Sequence, residues 1–253
     1  MDNVNVELIE QSQGFEMSNK YSPITTKAVV DSLRNEGYEI TKFSSAKVRK
    51  KTKEGFQKHL LRISRNDLEL GIDGLRPEII LINSYDGSSS FQLLVGVYRF
   101  ACANGLVVGS SYFQRRIRHV GNVLPKVLNA VNDVKQALPL VAQDIKKFGQ
   151  RVLTQSEKEQ FASKVAQSVT GLKDVQLVNP ESLLEVRRVE DQGDDLFTVL
   201  NVVQENILNG NLKVVAYRGL TPTIRKMRKV KSLSRSTEIN QLVWDKANEL
   251  IAA

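Results

Sequence analysis

The sequence predicts an α+β fold: an N-terminal helix plus an antiparallel β-meander, followed by a helical C-terminal half. Three observations predict it. Short apolar runs separated by Gly, Pro and Ser turns fill residues 38–108. A heptad seam of eight apolar residues then runs from Leu124 to Phe148. Beyond it, apolar stripes at helical spacing recur behind capping residues.

The elements follow in order. Residues 1–20 are polar with little periodicity and read as a flexible acidic arm. Ser22-Pro23 opens the first helix, Ser as N-cap and Pro in the first turn. Ile24, Ala28, Val29 and Leu33 share one face, and Gly37 ends the helix. Tyr38–Phe43 alternates as a strand, and Lys47–Lys53 forms a cationic hairpin turn ending at Gly55. Phe56–Arg65, Glu78–Ser84, Ser90–Ala101 and Leu106–Val108 supply further strands around the breakers Gly71, Gly74 and Pro77.

The seam consists of Leu124, Val127, Val131, Val134, Leu138, Val141, Ile145 and Phe148, with Pro139 expected to kink or split its helix. Thr154 or Ser156 caps the next helix, striped by Phe161, Val165 and Val169. A helical hairpin or a subunit contact would bury the seam. Asn179-Pro180-Glu181 begins another helix, and Asp194-Asp195 the one bearing Leu196, Val199, Val203 and Ile207. Leu212–Tyr217 is a short strand, and Arg225–Arg235 a cationic linker. Ser236-Thr237-Glu238 caps a last helix with Ile239, Leu242, Val243, Ala247 and Leu250. The expected organisation is an arm (1–20), an α+β domain (21–122) and a helical region (123–253) that packs on it or joins it in one compact unit. A weak boundary falls near Arg151–Gln155.

Composition narrows the function. With 41% hydrophobic and 25% charged residues among 253, the chain supports a core of ordinary size. No run reaches the roughly 18 apolar residues of a membrane span, and no leader pattern opens the chain. The single Cys102 excludes an internal disulfide, reads as a small buried hydrophobe and fits a reducing cytoplasm. The net charge is +8, and the first 16 residues carry four acids and no Lys or Arg, leaving +12 on the rest. Such a surplus favours a polyanionic partner.

Catalytic constellations are missing from the sequence. Two histidines, His59 and His119, and one cysteine make no zinc motif, and neither a P-loop nor a dinucleotide fingerprint nor a nucleophile elbow occurs. Asp67, Glu69, Asp73, Glu78 and Asp86 lie close enough together in sequence to suggest a metal nuclease, and turn chemistry accounts for Asp67, Asp73 and Asp86. The expectation is no enzyme, no metal and no cofactor. Ser88-Ser89-Ser90 reads as a hairpin loop whose hydroxyls and N–H groups also suit a phosphate. Among the nearby aromatics, Tyr85 and Tyr112 stand beside turns and are the candidates for stacking on bases.

Three basic groups form the candidate nucleic-acid-binding set: Lys47, Arg49, Lys50, Lys51 and Lys53; then Arg115, Arg116 and Arg118 beside Tyr112; then Arg225, Lys226, Arg228 and Lys229. No readable recognition helix accompanies them, so contacts led by the phosphate backbone are expected.

Asn83-Ser84-Tyr85-Asp86-Gly87-Ser88 and Arg99-Phe100-Ala101-Cys102-Ala103-Asn104-Gly105-Leu106 together resemble the phage/plasmid-like family of uncharacterised proteins. Its hallmarks are an N-S-x-D-G-S turn followed by an R-x-x-C-x-N-G-L segment, and Asp195–Val203 and Asn240–Asp245 are similar to its C-terminal helices. The resemblance covers about Tyr21–Ala253. It implies a setting in phages, prophages and plasmids, and carries no catalytic residues. The expected function is therefore a non-enzymatic nucleic-acid-binding accessory protein of a mobile element. It would favour single-stranded DNA, anneal strands in recombination or replication, and act as a cytoplasmic homo-oligomer. The alternative is a modulator that binds a host defence or replication protein.

Overall fold

The computed structural model describes residues 6–65, 67, 70–72, 74–100, 106–107, 114–121, 124–170, 180–218 and 221–252. Two compact units result, Met1–Val141 and Ala142–Ala253, and helix α3 (Leu124–Gln150) carries the chain from one to the other.

The first unit holds α1 (Val6–Glu10), α2 (Thr26–Asn35) and an antiparallel sheet. β1 (Glu39–Ser45), β2 (His59–Ser64), β3 (Leu75–Asn83) and β4 (Phe91–Arg99) lie side by side in that order. The outer edge of β4 is shared by two short strands: β5 (Leu106–Val107) on Gly96 and Val97, and β6 (Gln114–Ile117) on Phe91–Leu94. All six β2 positions are buried, as are eight of the nine in β3. That is why these strands read as unbroken apolar runs rather than as alternation. Pro77 is tolerated because β2 pairs with β3 only as far as Ile63–Ile79. Beyond that point the Ser64 hydroxyl donates to the Pro77 carbonyl at 2.9 Å.

The second unit centres on α5 (Leu196–Leu208), which is buried at ten of thirteen positions. α4 (Gln155–Thr170) and α6 (Leu233–Ala252) pack against it. Phe148, at the end of α3, meets Trp244 of α6 with ring centroids 5.1 Å apart. β7 (Lys213–Arg218) and β8 (Thr221–Lys226) form a separate two-stranded ribbon.

Capping chemistry sets several boundaries. Glu157 accepts from the Thr154 N–H while Thr154 Oγ1 accepts from the Glu157 N–H, a reciprocal box that starts α4. These bonds from Thr154, helped by Arg151, hold the Glu157 carboxyl down at about 2. Asp195 Oδ1 accepts from the Thr198 N–H and starts α5. Gly37, at φ +84°, ends α2, and the Tyr38 N–H closes back on the Leu33 carbonyl.

Other expectations need correction. α2 starts at Thr26 rather than at Ser22-Pro23. His119 takes the Ser22 N–H on its carbonyl and the Ile24 N–H on Nδ1, so the intervening chain stays extended. The segment before Tyr21 is held: Leu8 and Ile9 are buried, and the Phe15 N–H donates to the Tyr85 carbonyl. α3 runs through Pro139 without a break, because Pro139 lies on the exposed face, where water can meet the freed carbonyl. Seven of the eight seam residues are buried within the single chain, Leu124 being the exception at 39% exposed. The fold itself therefore covers the seam.

Pro180–Leu183 makes only a 3₁₀ turn, because the buried Asn206 amide draws the Leu183 and Glu185 carbonyls to itself. The first part of the expected cationic linker is strand β8. α6 begins a turn before Ser236, where the Ser232 hydroxyl accepts from the Arg235 N–H.

Candidate nucleic-acid interface

Strand register decides which basic residues meet. Ser45 pairs with His59, His59 with Asn83, Ile82 with Gln92, and Phe91 with Ile117. The β1–β2 connection, the β3–β4 turn and the residues after β6 therefore emerge at one end of the sheet. Lys47, Arg49, Lys50, Lys51 and Lys53 stand there with Arg118.

The β3–β4 turn is built by its own side chains. Ser84 Oγ accepts from the Ser89 N–H at 2.9 Å and donates to the Ser89 carbonyl at 3.1 Å. Asp86 Oδ1 accepts from the Ser88 N–H at 3.1 Å, and Gly87 supplies a φ of +72°. Burial alone would raise the Asp86 pKa, but the Ser88 hydrogen bonds and the Lys53 charge outweigh it and hold it below the usual range. Lys53 is thereby committed, 3.6 Å from Asp86 and over the Phe15 ring. Lys47, Arg49, Lys50 and Lys51 are exposed, with no ion-pair partner among the described residues.

The second basic group divides. Arg115 and Arg116 lie exposed on edge strand β6. Arg115 is 3.5 Å from Asp133, and Arg116 reaches the Gln114 amide oxygen at 3.2 Å. Arg118 is exposed with no such partner among the described residues. Tyr112 and Cys102 lie outside the described residues. Tyr85 is not a surface residue: it is fully buried, its hydroxyl accepting from the Thr26 N–H at 2.8 Å. An aromatic missed in the sequence is Phe100, 61% exposed, with Tyr98 edge-on and the Arg76 guanidinium 5.5 Å from its ring.

The third group lies in the second unit. Residues 209–237 contain Lys213, Arg218, Arg225, Lys226, Arg228, Lys229, Lys231 and Arg235 and no carboxylate. Arg235 pairs with Glu238 at 2.7 Å. Lys213, Arg225, Lys226, Arg228, Lys229 and Lys231 are exposed without ion-pair partners among the described residues. Lys213 stands directly opposite Lys226 across the ribbon. That pairing of like charges is unfavourable, and it is invisible until the register is known. Gly210 anchors the ribbon: at φ +79° it lies so close to the Met227–Lys229 backbone that a Cβ would come within 2.6 Å.

Among the described residues the acids assemble no metal site. Glu78 is buried against Arg62, Asp67 pairs with Arg65 and Asp86 with Lys53, while Glu69 and Asp73 lie outside the described residues. Among the described residues no cluster of three His, Cys, Asp or Glu could hold a metal ion, and no helix is long and apolar enough to cross a membrane.

Comparison with known proteins adds relatives. Residues 16–244 match the model of a family described as a domain of unknown function, DUF932. The chain is 33% identical over 236 residues to UPF0380 protein YfjQ of Escherichia coli (strain K12), covering 92% of this chain and 84% of that protein. It is 32% identical over 235 residues to UPF0380 protein YafZ of the same strain, with the same coverage. No solved structure matches.

Proposed function

The chain belongs to the DUF932 family of domains of unknown function, and from that premise we propose that it is a non-enzymatic nucleic-acid-binding protein led by phosphate contacts. One observation carries the reading: an isolated two-stranded ribbon and its flank hold six exposed, unpartnered cations, with no carboxylate over residues 209–237. Lys213 and Lys226 repel each other across this ribbon. A polyanion relieves that repulsion, and releasing its counterions adds favourable free energy. The basic loop at Lys47–Lys51 offers a second set of phosphate contacts. Exposed Phe100 and Ile224 offer flat and apolar surface to unpaired bases, which favours single-stranded DNA. The resemblance to phage- and plasmid-borne proteins suits an accessory role in recombination or replication.

Fluorescence anisotropy of labelled single- and double-stranded oligonucleotides at two salt concentrations tests the reading. Binding should weaken steeply with salt, and the change Arg225→Glu with Lys226→Glu should weaken it at least about tenfold for every sequence. Absence of binding at low salt would refute it and leave a host protein as the partner.

A further inference from the structure

A pocket of about 280 Å³ opens at the loop end of the first unit's sheet, between residues 17–21, the β3–β4 turn and Arg118–Val120. Its wall carries Lys20 and Arg118 and, among the described residues, no carboxylate. Neither cation has an ion-pair partner among the described residues, and the Ser90 hydroxyl beside them is likewise unbonded there.

His119 lines the same pocket, and its protonation state follows from its neighbours. Nδ1 accepts from the Ile24 N–H at 3.2 Å, so the proton of the neutral ring sits on Nε2. Nε2 is buried and has no hydrogen-bond partner among the described residues, in a residue only 7% exposed. A buried donor without an acceptor is uncommon in a folded protein. The Tyr21 ring stacks on the imidazole at 5.0 Å and holds it in place.

We propose that this pocket binds a phosphate group through Lys20, Arg118, the Ser90 hydroxyl and the Nε2–H of His119. Two cations and two neutral donors suit the three acceptor oxygens of a phosphate better than the two of a carboxylate. The volume lies at the small end of ligand pockets, enough for a phosphate and the group attached to it. The phosphate could come from a nucleotide or from the 5′ end of a nucleic acid. The proposal goes beyond the nucleic-acid reading and does not depend on it.

Nuclear magnetic resonance on the full chain tests it, with inorganic phosphate titrated against sodium chloride at matched ionic strength. Phosphate should produce saturable shifts at Ser90, Arg118 and the His119 ring. Burial holds the His119 pKa below its ordinary value, and a bound anion should raise it. Lys20→Ala with Arg118→Ala, both exposed positions, should weaken phosphate binding at least about tenfold. Shifts no larger than with chloride, or unchanged in that double variant, would overturn the proposal. Adenosine monophosphate and an oligonucleotide with or without a 5′ phosphate separate the two sources. If inorganic phosphate binds and no oligonucleotide does, the pocket stands and the nucleic-acid reading falls.

Discussion

At the scale of single residues, the Thr26 hydroxyl ties α2 to the sheet. It accepts from the Asn83 amide at 3.0 Å and the Tyr85 hydroxyl at 3.1 Å, and so donates to His59 Nε2 at 2.8 Å. His59 Nδ1 faces the Gln57 carbonyl at 3.2 Å and carries the ring proton. The network is satisfied only while His59 is neutral; a proton on Nε2 would set two donors face to face. Burial pushes the His59 pKa down to about 4 against a slight upward pull from the Gln57 carbonyl. The unfolded chain therefore binds the proton first, near 6.5, and stability falls as pH drops from about 6.5 towards 4. The loss reaches about 3 kcal/mol at the lower end, and burial of His119 acts in the same direction. Thermal melts across that window should show the decline, with a shallower one in His59→Gln. Equal slopes for the two proteins would refute the assignment. Asn83, read first as part of a turn, and Tyr85, read first as a surface aromatic for stacking on bases, thus hold the core, which no local pattern announces.

At the scale of elements, β2 and β3 bury a charge pair within an apolar sheet. Arg62 Nη1 donates to Glu78 Oε2 at 2.6 Å, and the Thr41 hydroxyl donates to Oε1 at 2.9 Å. Removing one partner takes away the cross-strand counterion of a buried charge, so Glu78→Ala should destabilise by about 3–5 kcal/mol in denaturant titrations. Replacing both, Arg62→Met with Glu78→Leu, should cost less than that single change. The opposite ranking would mean that the charges themselves stabilise the sheet. Glu78 looked in sequence like a possible metal ligand, because it lies close to Asp67, Glu69, Asp73 and Asp86. Only the cross-strand neighbour shows it to be a structural anion. The ribbon shows the reverse: Arg225-Lys226 looked like linker, because strand β8 is exposed at five of six positions and carries no apolar alternation.

At the scale of the whole molecule, the net charge of +8 is distributed unevenly. Local acids neutralise Lys53 and Arg115, while the cations of the ribbon and of Lys47–Lys51 stay free among the described residues. On the proposed nucleic-acid reading, phosphate contacts should therefore come mainly from those two groups. Neutralising Arg225, Lys226, Arg228 and Lys229 together should lower the salt dependence of single-strand binding by about 3 in log–log slope, at roughly 0.7 per contact. Neutralising Lys53 and Arg115 should change it little. A larger effect from the second pair would place the interface elsewhere.

The sequence by itself determined the α+β class, the order of first helix, meander and helical half, the caps at Thr154 and Asp195, the turn at Asn83–Ser88 and the cationic surplus. Each depends on neighbours within a few residues, where backbone hydrogen bonding and hydrophobic period act. Tertiary structure alone decided that Tyr85 is buried, that Arg118 joins the Lys47–Lys51 end of the sheet, that Lys213 opposes Lys226 and that His119 Nε2 lacks an acceptor. Those facts depend on strand register and on contacts between residues far apart in the chain. Burial and pairing at such distances are settled by the whole fold, so the same residue types read locally do not reveal them.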